Sequence, residues 1–177
     1  LDHELYGLIG RASQGEQEAF VQLINRYKGA VFRQAYAMLH DRMEAEDVSQ
    51  EAFLKVYSSL AKLEQAYAFV PWLAQIVSRL CYDRIRKKKR ENTFIEEDIE
   101  KQIFFTQAPS SVEQKHVQLN IEEAMQKLSP EHRMAITLRD IQGFSYDEMA
   151  EILKIPVGTV KSRIHAARLA LRKELTE

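Results

Sequence analysis

Apolar residues recur along this chain at steps of three and four. Phe20, Leu23, Ile24, Tyr27, Val31 and Ala35 form one such series. Val48, Ala52, Val56 and Leu60 form a second. Trp72, Ile76 and Leu80 form a third, which ends in charge at Asp83 and Arg84. Residues spaced this way meet on one face of an α-helix. Glycine and proline are scarce, and nothing reads as a strand hairpin. The pattern predicts an all-α fold.

The helical pattern breaks from Glu91 to Ser111, a stretch that ends in Gln107-Ala108-Pro109-Ser110-Ser111. This reads as a flexible linker. It divides the chain into two small helical domains, residues 1–91 and 112–177, joined by residues 92–111. The Phe104-Phe105 pair is unusual for a solvated linker. It fits either a short helix packed on one domain or an anchor for a partner. There is no internal repeat.

The second domain carries sharp helix signals. Ser129-Pro130-Glu131 places an N-cap serine before a proline at the first helical position. Gly143 suits a left-handed helix end. Ser145 and Glu148 have capping-box spacing, and Pro156 disfavours helix in the residue before it. A third helix starts near Val157. These elements predict a helix-turn-helix whose last helix, about Thr159–Arg172, lies in a DNA major groove. Val157, Val160, Ile164, Ala167, Leu171 and Leu175 form its apolar stripe. Gly158, Lys161, Ser162, His165 and Leu169 point away from that stripe. Thr159 and the free amides of the first turn suit a phosphate. The bland alternative is a solvated basic face on a helical bundle.

Charge adds organisation rather than bulk, since the formal net charge is −1. Asp41 to Glu51 is acidic, Arg84 to Arg90 is almost wholly basic, and Glu96 to Glu100 is acidic again. From Lys154 to Lys173 there is no acidic residue. Cys81 is the only cysteine, so a disulfide within the chain and a cysteine zinc cluster are both excluded. His3, His40, His116, His132 and His165 lack metal-ligand spacing, and no phosphate loop or nucleophile elbow is present. Neither an enzyme, a metal site nor a cofactor is expected. No apolar run approaches the ~20 residues of a membrane span. The start, Leu1-Asp2-His3-Glu4, has no signal-peptide pattern, so the expected compartment is the cytoplasm.

The run Ile155-Pro156-Val157-Gly158-Thr159-Val160-Lys161-Ser162-Arg163-Ile164-His165 resembles the domain 4 helix-turn-helix of extracytoplasmic-function (ECF) sigma factors. So do Leu128–Arg133, Asp140–Tyr146 and Ala167–Arg172. The resemblance implies that this helix reads the −35 promoter element through Thr159, Lys161, Ser162, Arg163, His165 and Arg168. Ala166 departs from the arginine many members carry. Glu44–Phe53 is similar to region 2.2, the helix that docks on the clamp helices of the polymerase β′ subunit; this places core binding on Asp47, Gln50, Glu51 and Phe53. Phe69–Ile76 with Asp83–Lys88 looks like regions 2.3 and 2.4, which melt and grip the −10 element. That assigns Arg79, Asp83, Arg84, Arg86, Lys87 and Lys88 to the −10 strand. Arg79 departs from the asparagine often found there. Trp72 lies on the apolar stripe and reads as core, whereas the preceding loop, about Ala61 to Ala68, is the better place for a base pocket. The implied partners are core RNA polymerase (β′ clamp helices and β flap), promoter DNA and an anti-sigma factor able to hold the protein at the membrane. No homo-oligomer is required. The competing reading is a dimeric helix-turn-helix repressor, in whose ligand domain the Arg84–Arg90 run would sit badly.

Overall fold

The computed structural model describes residues 2–102 and 121–176. Its helices are α1 Asp2–Ser13, α2 Gln17–Leu39, α3 Arg42–Ser59, α4 Phe69–Gln102, α5 Ile121–Lys127, α6 Pro130–Ile136, α7 Tyr146–Leu153 and α8 Val157–Thr176. Two short 3-10 turns, Leu60–Lys62 and Ala66–Ala68, lie between α3 and α4. No strand occurs among the described residues. The all-α expectation therefore holds.

The first unit packs α2, α3 and α4 together, with α1 against α2. Leu23, Val31, Ala35 and Met38 face Ala45, Val48, Ala52 and Val56, and Phe69, Leu73 and Val77 complete the core. The small alanines of α3 let its neighbours approach closely. Asp41 caps α3, its carboxylate accepting from the Glu44 amide at 3.0 Å. Buried Gln34 donates to the Ser78 hydroxyl at 2.9 Å and to the Ala74 carbonyl at 3.2 Å. A polar crossing inside the core is thus satisfied rather than orphaned.

Two expectations for α4 need correction. Its buried face is Phe69, Leu73, Val77, Leu80 and Cys81, while Trp72 and Ile76 are only half-buried. The stripe is rotated because the 3-10 turns deliver Phe69 directly beneath α2, with its ring 5.4 Å from that of Tyr27. The helix also does not stop at Glu91 but continues to Gln102. From Trp72 to Gln102 no glycine or proline interrupts it, and the Thr93 hydroxyl folds back on the Lys89 carbonyl at 2.9 Å. Phe104, Phe105 and Pro109 lie outside the described residues.

In the second unit α6 runs into a π turn, Thr137–Ile141, before Gly143 at φ +79° ends it. Met134, Leu138, Met149, Ile152, Val160, Ile164 and Ala167 form its core.

The two units pack directly on each other, α7 on α4 and α5, α6 and the π turn on α2. The seam is stitched by side chains reaching main-chain carbonyls. Gln142 donates to Ala30 at 3.0 Å, Gln126 to Ala37 at 3.4 Å and Gln75 to Ile152 at 3.4 Å. Arg133 is the centre of this arrangement. Its guanidinium donates to the carbonyls of Met125 at 2.9 Å, Gln126 at 2.9 Å, Leu128 at 3.0 Å and, across the seam, Met38 at 2.6 Å. Burial lowers its pKa. Arg133→Ala would leave these carbonyls without their donor and is expected to cost about 3 kcal/mol. The urea midpoint of unfolding measures this, and an unchanged midpoint would show that water replaces the guanidinium freely.

Candidate nucleic-acid interface

The helix-turn-helix is built as its signals predict. Ser145 accepts from the Glu148 amide at 3.1 Å, and the Ser145 amide donates to the Glu148 carboxylate at 2.8 Å. Such a box contributes about 1 kcal/mol. Helix α7 stops one step earlier than Pro156 requires, because Lys154 turns left-handed at φ 56° and its amide bonds the Ala150 carbonyl. Val160, Ile164 and Ala167 anchor α8, but Val157 and Leu175 are exposed and Leu171 is half-buried. The expected stripe therefore holds only in the middle of the helix.

Thr159, Lys161, Ser162 and His165 share the exposed N-terminal half of α8. The Ser162 hydroxyl donates to the Thr159 carbonyl at 3.0 Å. Lys161 and His165 make no ion pair among the described residues. Arg163 and Arg168 differ from this group. Arg163 is half-buried and faces Tyr82 of α4, whose hydroxyl burial and Glu131 push up against a smaller opposing pull from Arg163. Arg168 grips Asp140 of the π turn with both arms, at 3.1 and 2.6 Å. It braces α8 against the turn in this arrangement. Arg139 stacks over Tyr146 at 4.8 Å and donates to the Phe144 carbonyl at 2.8 Å, fixing the turn between α6 and α7.

The −10 candidates on α4 divide in the same way. Arg79, Lys87 and Lys88 are exposed and make no ion pair among the described residues. Asp83 is paired with Arg86. Arg84 bridges to α3, donating to Glu44 at 2.7 Å and to Glu51 at 3.1 Å. The loop before α4 forms a cleft of about 450 Å³ lined by Lys62, Leu63, Glu64, Gln65, Tyr67 and Trp72, among others. Trp72 packs its ring 6.1 Å from Phe69 and also lines this cleft, so it is both core and wall.

The polymerase candidates lie on two faces of α3. Asp47 is exposed without an ion pair among the described residues, and Glu51 is held by Arg84. Gln50 and Phe53 instead line an apolar groove between α2 and α3 of about 640 Å³. Its other walls are Gln17, Phe20, Val21, Ile24, Leu54 and Tyr57. Leu54 is 69% exposed and Tyr57 62%, and neither was singled out from the sequence. Their signal was present, since Gln50, Phe53, Leu54 and Tyr57 follow the 0, 3, 4, 7 spacing of a second helical face.

Family models for sigma-70 region 2 and sigma-70 region 4 match residues 23–91 and 118–171. The ECF RNA polymerase sigma factor SigW of Bacillus subtilis is 35% identical, over 96% of this chain and 95% of that protein. The chain belongs to the extracytoplasmic-function sigma factors. It is accordingly an alternative-sigma transcription initiation factor. This sigma factor is also 31% identical to the RNA polymerase sigma-H factor of Pseudomonas aeruginosa, over 95% of this chain and 92% of that one. Among solved structures it is similar to the sigma factor RpoE in complex with the anti-sigma factor NepR from Bartonella quintana. The TM-score is 0.69 at 27% identity, covering 89% of this chain and 96% of that one. It is similar too to CnrH in complex with the cytosolic domain of CnrY, at TM-score 0.72 and 25% identity, with 97% of each chain covered. Among the described residues no helix is long and apolar enough to cross a membrane.

Helix α4 also carries two acids that titrate late. Burial pushes the Cys81 thiol up to about 12, against a smaller pull from Arg84. Burial, reinforced by the charge of Glu131, pushes the Tyr82 hydroxyl to about 12 as well. Both folded-state pKa values are raised, so the folded sigma factor holds protons that the unfolded chain releases first. Its stability is therefore expected to fall as pH rises from about 9 to 12. Urea unfolding at stepped pH measures this; Cys81→Ala should flatten the slope, and an identical slope would remove the thiol from the account.

Proposed function

We propose that this sigma factor reads the −35 duplex with Thr159, Lys161, Ser162 and His165, and holds the melted −10 strand with Arg79, Lys87, Lys88 and the Lys62–Trp72 cleft. The observation that carries this reading is the exposed, acid-free N-terminal half of α8, presented by a capped α7 and a fixed turn. A recognition helix meets base edges with that half. Arg163 and Arg168 position α8 and contact DNA only if their present partners give way. Asp83 and Arg86 form a local pair that sets the approach to Lys87 and Lys88.

Core polymerase docks on domain 2 by the α2–α3 groove, with Asp47 as the free acid beside it. An apolar groove rimmed by glutamine and one unpaired carboxylate fits a helical partner that is apolar at its centre and basic at its rim. Domain 4 takes the β flap. The functional domains are residues 1–102, extended from Glu91 by the length of α4, and 112–177. An anti-sigma factor is the regulatory partner, in keeping with the complexes in which both structural relatives were solved. The protein works in the cytoplasm and needs no second copy of itself.

This reading carries a geometric requirement. Elements at −10 and −35 lie about 25 base pairs apart, ~85 Å along B-form DNA. A compact body of this chain length spans ~40 Å. The packed units must therefore part before both elements are held at once.

Lys161→Ala and His165→Ala are each expected to change −35 preference by about 1–3 kcal/mol per lost base contact. Run-off transcription across single-base −35 variants measures it, and an equal loss on every variant would reduce both residues to phosphate contacts. Leu54→Glu places a charge in the apolar groove at an exposed position. Affinity for core polymerase should drop about tenfold or more, as for a truncated hot spot, with the thermal midpoint unchanged. Unaltered affinity in a fluorescence titration would move the docking surface off this groove.

A further inference from the structure

The basic run of α4 contains a cation that the protein neutralises itself. Arg84 lies between Glu44 and Glu51, and its two arms are taken at 2.7 and 3.1 Å. Both carboxylates come from α3, the helix whose acidic stretch carries the proposed polymerase contact Asp47. Arg84 also lines a cleft of about 640 Å³ together with Asp41, Glu44, Lys87, Lys88, Lys89 and Glu91, closed on its far side by Gln126 and Arg133 of the second unit. A phosphate entering this cleft meets three lysines that make no ion pair among the described residues, but at Arg84 it meets a guanidinium already facing two negative charges. The pair is accessible to exchange, because the Glu44 and Glu51 side chains are 47% and 41% exposed. Pairs at that exposure hold weakly.

We propose that Arg84 is a DNA phosphate contact masked by Glu44 and Glu51, and that docking of the basic rim of polymerase on α3 draws those carboxylates away and releases it. The idea rests on the polymerase-docking reading given above. It makes grip on the −10 strand conditional on assembly, through an exchange of ion-pair partners between adjacent helices. The competing role for Arg84 is a brace that only holds α4 on α3.

A mutant cycle separates the two roles. The full chain is titrated with a fluorescein-labelled single strand carrying a −10 sequence, first without polymerase. In the native background Arg84→Gln should change affinity by less than about twofold, because its charge is already spent. In the Glu44→Gln, Glu51→Gln background the same change should weaken binding by roughly threefold to tenfold and lower the salt slope by 0.7, the value for one single-strand phosphate contact. Using Arg84→Gln in both backgrounds removes the general effect of deleting two acids. Arg84→Lys should keep most of the affinity in the neutralised background, since a phosphate needs only the charge. In assembled holoenzyme with unaltered acids, Arg84→Gln should show the full loss. Equal effects of Arg84→Gln in both backgrounds, or no effect in holoenzyme, would overturn the proposal and leave a brace, which thermal melts of each variant would register. Failure of the unaltered chain to bind core polymerase is a different result, and it would overturn the docking reading itself.

Discussion

The buried guanidinium of Arg133 is the constraint on which the arrangement of the two units depends. A charge taken out of water needs compensation from the groups around it. Here the compensation comes from carbonyls rather than a carboxylate. Met125, Gln126 and Leu128 lie at the C-terminal end of α5, and Met38 at the C-terminal end of α2. Helix ends of this kind expose unpaired carbonyls and carry partial negative charge. One side chain thus serves two helix ends from different units. Three of its bonds stay within the second unit, and only the bond to Met38 crosses the seam. The second unit therefore keeps its internal anchor if the seam opens, while α2 loses a partner for its last turn.

Pairing, more than position, decides which basic residues are available to DNA. The sequence offers a dense basic run on α4 and another on α8. In the folded protein Arg84, Arg86 and Arg168 are all engaged with acids, whereas Lys87, Lys88 and Lys161 make no ion pair among the described residues. Arginine's fork suits two-armed engagement of carboxylates, and lysine's compact charge does not. Arg168 joins α8 to the π turn and Arg84 joins α4 to α3, the Arg86–Asp83 pair lies within α4, and Arg79 makes no ion pair among the described residues.

Local chemistry was legible in the sequence wherever one residue type has one strong use. Ser129, Ser145, Glu148 and Gly143 each sit in the cap or turn their identity suggested. The exposed face of Lys161, Ser162 and His165 followed from the spacing of Val160, Ile164 and Ala167. The family followed from long runs around these same residues. Other features were hidden for physical reasons. Trp72 and Ile76 stand at the edge of the buried face of α4 rather than within it, because a 3-10 turn outside the helix sets its rotation. The continuation of α4 past Glu91 is not legible because charged residues form helix as readily as they form linkers. The seam was invisible because Gln75, Gln126 and Gln142 bond to carbonyls, and a carbonyl carries no sequence label. Asp140 gave no hint of Arg168, since a π turn shifts the register between them.

The seam has a consequence for apparent affinities. Its polar contacts are three glutamine bonds to carbonyls, one arm of Arg133 and the approach of His40 to Glu122, laid over the packing of α7 on α4. On the proposed reading of the −10 and −35 elements a closed molecule does not span a promoter, and only the parted fraction is competent. Measured affinity for the assembled target is then the intrinsic affinity scaled by that fraction. If one molecule in about a hundred is parted, a hundredfold of the intrinsic strength is concealed from any titration. Any ligand that prefers the closed form lowers that fraction further without touching a DNA contact. On that reading the strength of transcription from a given promoter is written partly into the packing of α7 on α4, far from the proposed base contacts.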